Sequence, residues 1–185
     1  MSLHLSTDEG GGGQRWLALC VLVCLAAWGC GDDQTSHFDV TVEAEDGSTT
    51  TLSDSIALAD LPASPTSASL TPGIMRVSLA GEPPQMLEIT LLTSEENGAP
   101  GVFPMIDSQQ VVHYIGADST VYTSSGPGFV VLDTCPTELD DMAAGTLDGV
   151  EVTDDSGQTK TVRGTFEVAV VSIQHDGQES PLHCQ

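Results

Sequence analysis

Chemistry in this chain would have to come from cysteine thiols, a few histidines, serines in turn-like stretches and a large excess of carboxylates. A serine hydrolase needs a nucleophile on a strained turn beside a base. Ser124-Ser125-Gly126 is the nearest approach, Gly-x-Ser-x-Gly is absent, and the stretch reads first as a hairpin turn. Ser125 and the scattered carboxylates define one alternative reading, a small secreted hydrolase. His37, His113, His175 and His183 are not spaced for a metal, and no His-Glu-x-x-His occurs. His113 alternates with Val112 and Tyr114 and reads as a strand-surface histidine. Calcium takes about six to eight oxygens, and EF-hand loops place acids at alternate positions before a glycine. Asp154-Asp155-Ser156-Gly157 and Glu43-Ala44-Glu45-Asp46-Gly47 lack that spacing. Adjacent acids in a turn usually bond their own backbone. A calcium-binding surface protein is therefore the second alternative. No catalytic residue, metal ligand or cofactor is assigned. A paired-carboxylate glycosidase would want rings for sugar stacking. After Cys30 those are Phe38, Phe103, Tyr114, Tyr122, Phe129 and Phe166, because both tryptophans, Trp16 and Trp28, precede it.

The cysteines give the more specific signal. Cys20 and Cys24 lie in an apolar run, Trp16 to Trp28, thirteen residues long. That length fits a signal-peptide core of about 7–15 residues and falls short of the ~20 a membrane-spanning helix needs. Arg15 supplies the cationic edge. Ala27-Trp28-Gly29-Cys30 resembles the lipobox of bacterial lipoproteins, where small residues precede the cysteine that receives lipid. The resemblance implies cleavage after Gly29, acylation of Cys30, and anchoring in the bacterial envelope at a periplasmic or surface face. Each buried CH₂ contributes about 0.8 kcal/mol, and one acyl chain holds only marginally, so two or three chains make a lasting tether. Plain secretion and an uncleaved anchor are the other readings of the same run. The expected organisation is a signal peptide over 1–29, a lipidated tether over 30–36 and one β-domain over 37–185.

Cys135 and Cys184 remain as an even pair in an oxidising compartment, where they are expected to form a disulfide. The loop so closed holds about 50 residues, worth roughly 4 kcal/mol by chain entropy. Charge excludes more than it identifies. From Cys30 onward there are 25 acids against three bases, Arg76, Lys160 and Arg163, a net of −22. Nucleic acid needs a basic footprint and is excluded as a partner. Attraction to anionic lipid is excluded on the same ground. Basic partners and cations are compatible with the charge, as is a plain solvated surface. The partners expected are the membrane, through the lipid on Cys30, and an unknown protein or glycan ligand.

The elements that would position these groups read as strands. Phe38, Val40 and Val42 alternate with Asp39, Thr41 and Glu43, the half-buried strand signature. Glu45-Asp46-Gly47-Ser48 turns the chain into Thr49-Thr50-Thr51-Leu52. Leu61 to Pro72, with three prolines, reads as loop or irregular edge. Ile74–Leu79 and Met86–Leu91 read as one hairpin, Val111–Ile115 and Thr120–Thr123 as another. Val102-Phe103-Pro104-Met105 reads as an extended piece over the core. Phe129-Val130-Val131-Leu132 suits an interior strand. Cys135 to Gly145 is the only candidate helix, with Thr137 and Asp140 placed as a cap. Leu147–Thr153, Asp154-Asp155-Ser156-Gly157 and Thr159–Ile173 form the clearest strand-turn-strand unit, with Gly164 marking a bulge or bend. About nine short strands with regular turns indicate an all-β fold, an antiparallel β-sandwich or alternatively an open β-barrel. The run from Gly101-Val102-Phe103 through Tyr114, Tyr122, Gly128-Phe129-Val130 and Val150 to Gly164-Thr165-Phe166 resembles the small secreted β-domains of unknown function found on bacterial lipoproteins. That likeness implies a fold and a location, and no activity. The leading expectation is a non-catalytic, membrane-anchored binding, adhesion or structural module.

Overall fold

The structure is a computed structural model describing residues 34–92, 101–105, 110–134 and 136–174. Cys30, Cys135, Cys184, the apolar run Trp16–Trp28 and the two histidines His175 and His183 lie outside those residues. The described residues belong to one compact unit that begins at Gln34. Among them no helix is long and apolar enough to cross a membrane.

The alternation read in the sequence becomes strands β1 (Thr35–Ala44), β2 (Thr49–Ala57), β3 (Ser67–Thr71), β4 (Ile74–Ala80), β5 (Met86–Leu92), β6 (Gly101–Pro104), β7 (Val111–Ile115), β8 (Val121–Ser124), β9 (Phe129–Leu132), β10 (Met142–Thr153) and β11 (Thr159–Ile173). Their order is β2-β1-β11-β3-β4-β5-β7-β8-β10-β9-β6, and β10 also pairs with β11. That extra pairing closes a ring of seven strands, β11-β3-β4-β5-β7-β8-β10, with β1 and β2 attached to β11, and β9 and β6 to β10. The fold is all-β. All eleven described strands belong to one mixed sheet. Its segments β2-β1-β11-β10-β9-β6 and β3-β4-β5-β7-β8 cover one core as the layers of a sandwich would and join at two corners, but the sheet closes through β10–β11 where the alternative expected an open barrel. β11 pairs with β3 in parallel, while its other partners and the hairpins are antiparallel.

Each corner is a place where a long strand changes neighbour. β11 pairs with β1 up to Glu167 and with β3 from Val170. The Ala169 amide between them would lack a ladder partner, and the buried Ser36 hydroxyl accepts its bond at 2.9 Å. Gln110 does similar service for β5, with its side-chain amide bonded to both the N–H and the C=O of Leu92. β10 pairs with β9 over Gly145–Asp148 and with β8 over Val152–Thr153.

Side chains fill the ring. One inner-face row crosses a whole layer: Leu52, Val40, Gly164, Leu147, Val130 and Phe103 stand opposite one another on β2, β1, β11, β10, β9 and β6. The facing layer contributes Ala68, Val77, Ile89 and Val112 in one row and Leu79, Leu87, Tyr114 and Tyr122 in the next. All of these except Gly164 are buried. Each fully buried aliphatic side chain contributes roughly 1.5–3 kcal/mol relative to exposure.

Several local expectations change. Cys135–Gly145 holds no helix among its described residues, and β10 begins inside it at Met142. The Thr137–Asp140 cap read there does not form: Asp140 takes φ +69°, and it is the next residue, Asp141, whose carboxylate accepts from the Thr137 and Glu138 amides and closes a loop. The helix that does form is a 3-10 turn, Leu58–Ala63, in a stretch partly read as loop, and β3 follows it. It buries Leu61, which is not part of the main core cluster. β9 lies one strand from the sheet end, so Phe129 points out and is 45% exposed. Gly164 carries no bulge of its own on the β1 side, where register is continuous through Gly164↔Val40. The register shift lies opposite, on β10 between Leu147 and Val150.

Candidate binding surfaces

With the interior packed, polar chemistry is confined to the outer faces and the hairpin tips. Among the described residues three shallow grooves each contain one of the three cations found after Cys30. One, about 350 Å³, is lined by Glu43, Glu45, Glu151, Thr159, Thr161 and Arg163. Register explains the assembly: Glu43 stands opposite Thr161 on β11, which stands opposite Glu151 on β10. Arg163 reaches Glu43 at 3.5 Å, both about half exposed. Such a pair contributes about 0–1 kcal/mol, so it orders the groove more than it stabilises the fold.

The second groove, about 230 Å³, continues over the hairpin tip and holds Glu45, Asp46, Gln158 and Lys160. The Lys160 ammonium lies 4.8 Å from the centre of the Tyr122 ring and 5.9 Å from that of Tyr114. The two rings are tilted with centroids 5.8 Å apart. Burial pushes the Tyr114 phenol above its usual range, against a hydrogen bond with Thr50. Lys160 thus holds its ammonium over the aromatic pair, with Glu45 and Asp46 in the same groove.

The third groove, about 280 Å³, is on the opposite layer and includes Arg76, Ser78, Glu88, Thr90 and His113. Here one outward row crosses four strands: Ser78, Glu88, His113 and Thr123. His113 Nδ1 and Thr123 Oγ1 are 3.1 Å apart. His113 is the strand-surface histidine expected from its alternation.

Of the acids singled out in the sequence, Asp46 and Asp154 are engaged in their own turns, and Glu43 is paired with Arg163. Asp154 accepts from the Ser156 and Gln158 amides and the Ser156 hydroxyl, at 2.7–2.9 Å. Its carboxyl is held below the usual range chiefly by the Ser156 side chain. Asp46 is lowered mainly by Ser48, Asp118 by Thr120, and Asp141 by the Thr137 amide. No group of three or more His, Cys, Asp or Glu fit to hold a metal occurs among the described residues. Ser125 Oγ donates to Thr153 Oγ1 at 2.7 Å, and Thr153 Oγ1 lies 3.2 Å from Thr159 Oγ1. Ser124 Oγ accepts from the Val112 amide. Both serines therefore clip strands together, but not as hairpin-turn residues: Ser124 ends β8, and β8 and β9 pair with β10 rather than with each other.

Of the six aromatics considered for sugar stacking, Phe38, Phe103, Tyr114, Tyr122 and Phe166 are buried and only Phe129 is exposed. The Lys160 cluster and the four-strand row were missed in the sequence. Their members are far apart along the chain, and only strand register brings them together. Comparison with known proteins adds no name: no family profile, no curated protein and no solved structure matches the chain.

Proposed function

We propose that this chain is a non-catalytic envelope lipoprotein, a β-module held at a membrane by lipid on Cys30 and built to bind a partner on its outer surface. The observation that carries the binding part is the division of the molecule. The ring interior is filled by aliphatic and aromatic side chains, and the acids with lowered pKa spend their oxygens on turn amides. What is left for function is a broad polar exterior. With nearly all rings packed inside, the exterior suits a polypeptide ligand better than a stacked glycan. The anchoring part rests on the resemblance of Ala27-Trp28-Gly29-Cys30 to a lipobox. Three residues, Gly31 to Asp33, separate Cys30 from Gln34, where the compact unit begins, so a tether of four Cα steps there would reach about 14 Å at most.

Fractionation and intact mass of the native protein and a Cys30→Ser variant test the anchor. The native protein should start at Cys30 with acyl mass and partition with membranes, while the variant should appear in the soluble fraction. Unchanged partitioning with no acyl mass ends the lipoprotein reading. A broad hydrolase panel tests the rest, because turnover by purified protein would replace the binding module with an enzyme.

A further inference from the structure

Among the described residues the strand order ends at β2, and one side of β2 has no partner strand. Which backbone groups face that side follows from the ladder. Ala44 N–H donates to Ser48 O at one end of the β1–β2 pair, and Leu58 N–H donates to Gln34 O at the other. Register runs unbroken between them, from Glu43↔Thr49 to Thr35↔Ala57. In an antiparallel pair the bonded positions alternate with non-bonded ones. Thr50, Leu52, Asp54 and Ile56 therefore bond β1, while Thr49, Thr51, Ser53, Ser55 and Ala57 turn their N–H and C=O groups outward.

Natural sheets usually guard such an edge with charge, proline or a bulge. β2 has no proline and one charge, Asp54. The Asp54 carboxylate accepts the Ser55 amide at 2.8 Å and so closes that part of the edge. Thr49, Thr51 and Ser53 are left unguarded, and all three are exposed. They span about 14 Å of extended chain, enough to pair with roughly five residues of a guest.

We propose that the Thr49–Ser53 edge of β2 binds an extended, basic polypeptide segment as an added strand. Main-chain bonds supply the affinity in this mode, and alternate side chains supply the choice of guest. The choice can be read from the outer face of β1. Glu43 stands beside Thr49, Thr41 beside Thr51 and Asp39 beside Ser53. Carboxylates thus stand at both ends of the open stretch, Glu43 already 3.5 Å from Arg163 and Asp39 in no ion pair among the described residues, with short hydroxyl side chains between them and the guest. A guest residue opposite Thr49 and another opposite Ser53 would point at Glu43 and Asp39 across that low row. The matching pattern is a lysine or arginine at positions i and i+4 with an uncharged residue at i+2. A second copy of this chain is the poorer occupant, because each carries a net −22 after Cys30 and the two repel. The inference rests on the binding-module reading and names its partner class.

The test uses the full chain in detergent and a labelled heptapeptide, Thr-Lys-Val-Thr-Val-Lys-Thr, against a version with glutamate in place of both lysines. The lysine peptide should bind at least tenfold tighter, weaken with added salt, and slow amide exchange at Thr49, Thr51 and Ser53 at least tenfold. Thr51→Pro removes an outward donor without touching the β1–β2 bonds, and should abolish binding. Exchange in the unsubstituted chain keeps the test valid if that variant does not fold. Equal binding of both peptides, or unchanged exchange at the three amides under saturating peptide, overturns the proposal. Self-association through β2 overturns it too. Lysine-peptide binding elsewhere on the surface removes the edge assignment and leaves the binding module standing.

Discussion

A single added methyl group should separate two kinds of glycine in this fold. Gly164 is in the middle of β11 with φ +148°, and a Cβ built there would lie 2.2 Å from the Asp39 carbonyl oxygen and 2.6 Å from the Val40 Cα. Those atoms are backbone of β1, so no side chain can swing aside. β1 would have to move from β11 at the centre of an eight-pair ladder. Gly47, at the β1–β2 hairpin tip, has φ +80° and nothing within 4 Å. Gly47→Ala meets only the cost of a left-handed L-residue, about 1–2 kcal/mol. Gly164→Ala meets a comparable backbone cost and an overpacking cost of roughly 1–3 kcal/mol, together about 2–5 kcal/mol. For a domain of this size each kcal/mol lowers Tm by about 2–4 °C. Gly47→Ala should then lose a few degrees and Gly164→Ala about ten. Urea melts of both variants give the free energies directly. Should Gly164→Ala lose no more than Gly47→Ala, the close approach of β1 to β11 is not as described, and the row from Leu52 to Phe103 loses its basis.

Acid should destabilise the fold through its turns. Asp46, Asp118, Asp141 and Asp154 all have folded pKa values below the ordinary carboxylate value, so their contribution is complete above about pH 4 and fades as pH falls through the lowered values. The Tm gap between the unsubstituted chain and Asp154→Asn should be wider at pH 7 than at pH 2.5, and an equal gap would remove Asp154 from the account. Cys135 and Cys184 are expected to be joined, so neither should react with a thiol-blocking reagent in the unreduced, denatured protein. Reduction should then lower stability by up to roughly 4 kcal/mol, and two modified thiols would dispose of the bridge.

The fold class was legible because period-two alternation is a local signal. Phe38-Asp39-Val40-Thr41-Val42 must put three apolar side chains on one face whatever else the chain does, and Leu147–Ile173 had to form a hairpin across Asp154–Gly157. The closing of the ring was not legible. It depends on β11 changing neighbour between Glu167 and Val170, an event marked only by a serine hydroxyl supplied from 133 residues away. The loop at Pro136–Asp141 misled for a related reason. A carboxylate bonding backbone amides three and four residues back makes the same sequence mark whether a helix or a loop follows. The surface grooves were hidden by the same distance effect, since Glu43, Glu151 and Arg163 become neighbours only through register.

The three cations show how so acidic a chain can remain compact. Self-repulsion is worst where hairpin tips crowd acids together, and the tips of β1–β2, β7–β8 and β10–β11 each carry an aspartate. Lys160 is positioned among them and lowers both Asp46 and Asp118, though less than their own turn bonds do. Arg163 occupies the adjacent face against Glu43. Among the described residues no cation is paired with Asp39, whose register neighbours on either side are Ser53 and Thr165. Of the two β1 carboxylates beside the open part of β2, Glu43 is already matched by Arg163 and Asp39 is not. A basic strand laid on that edge would supply the missing countercharge and the missing backbone bonds in one step.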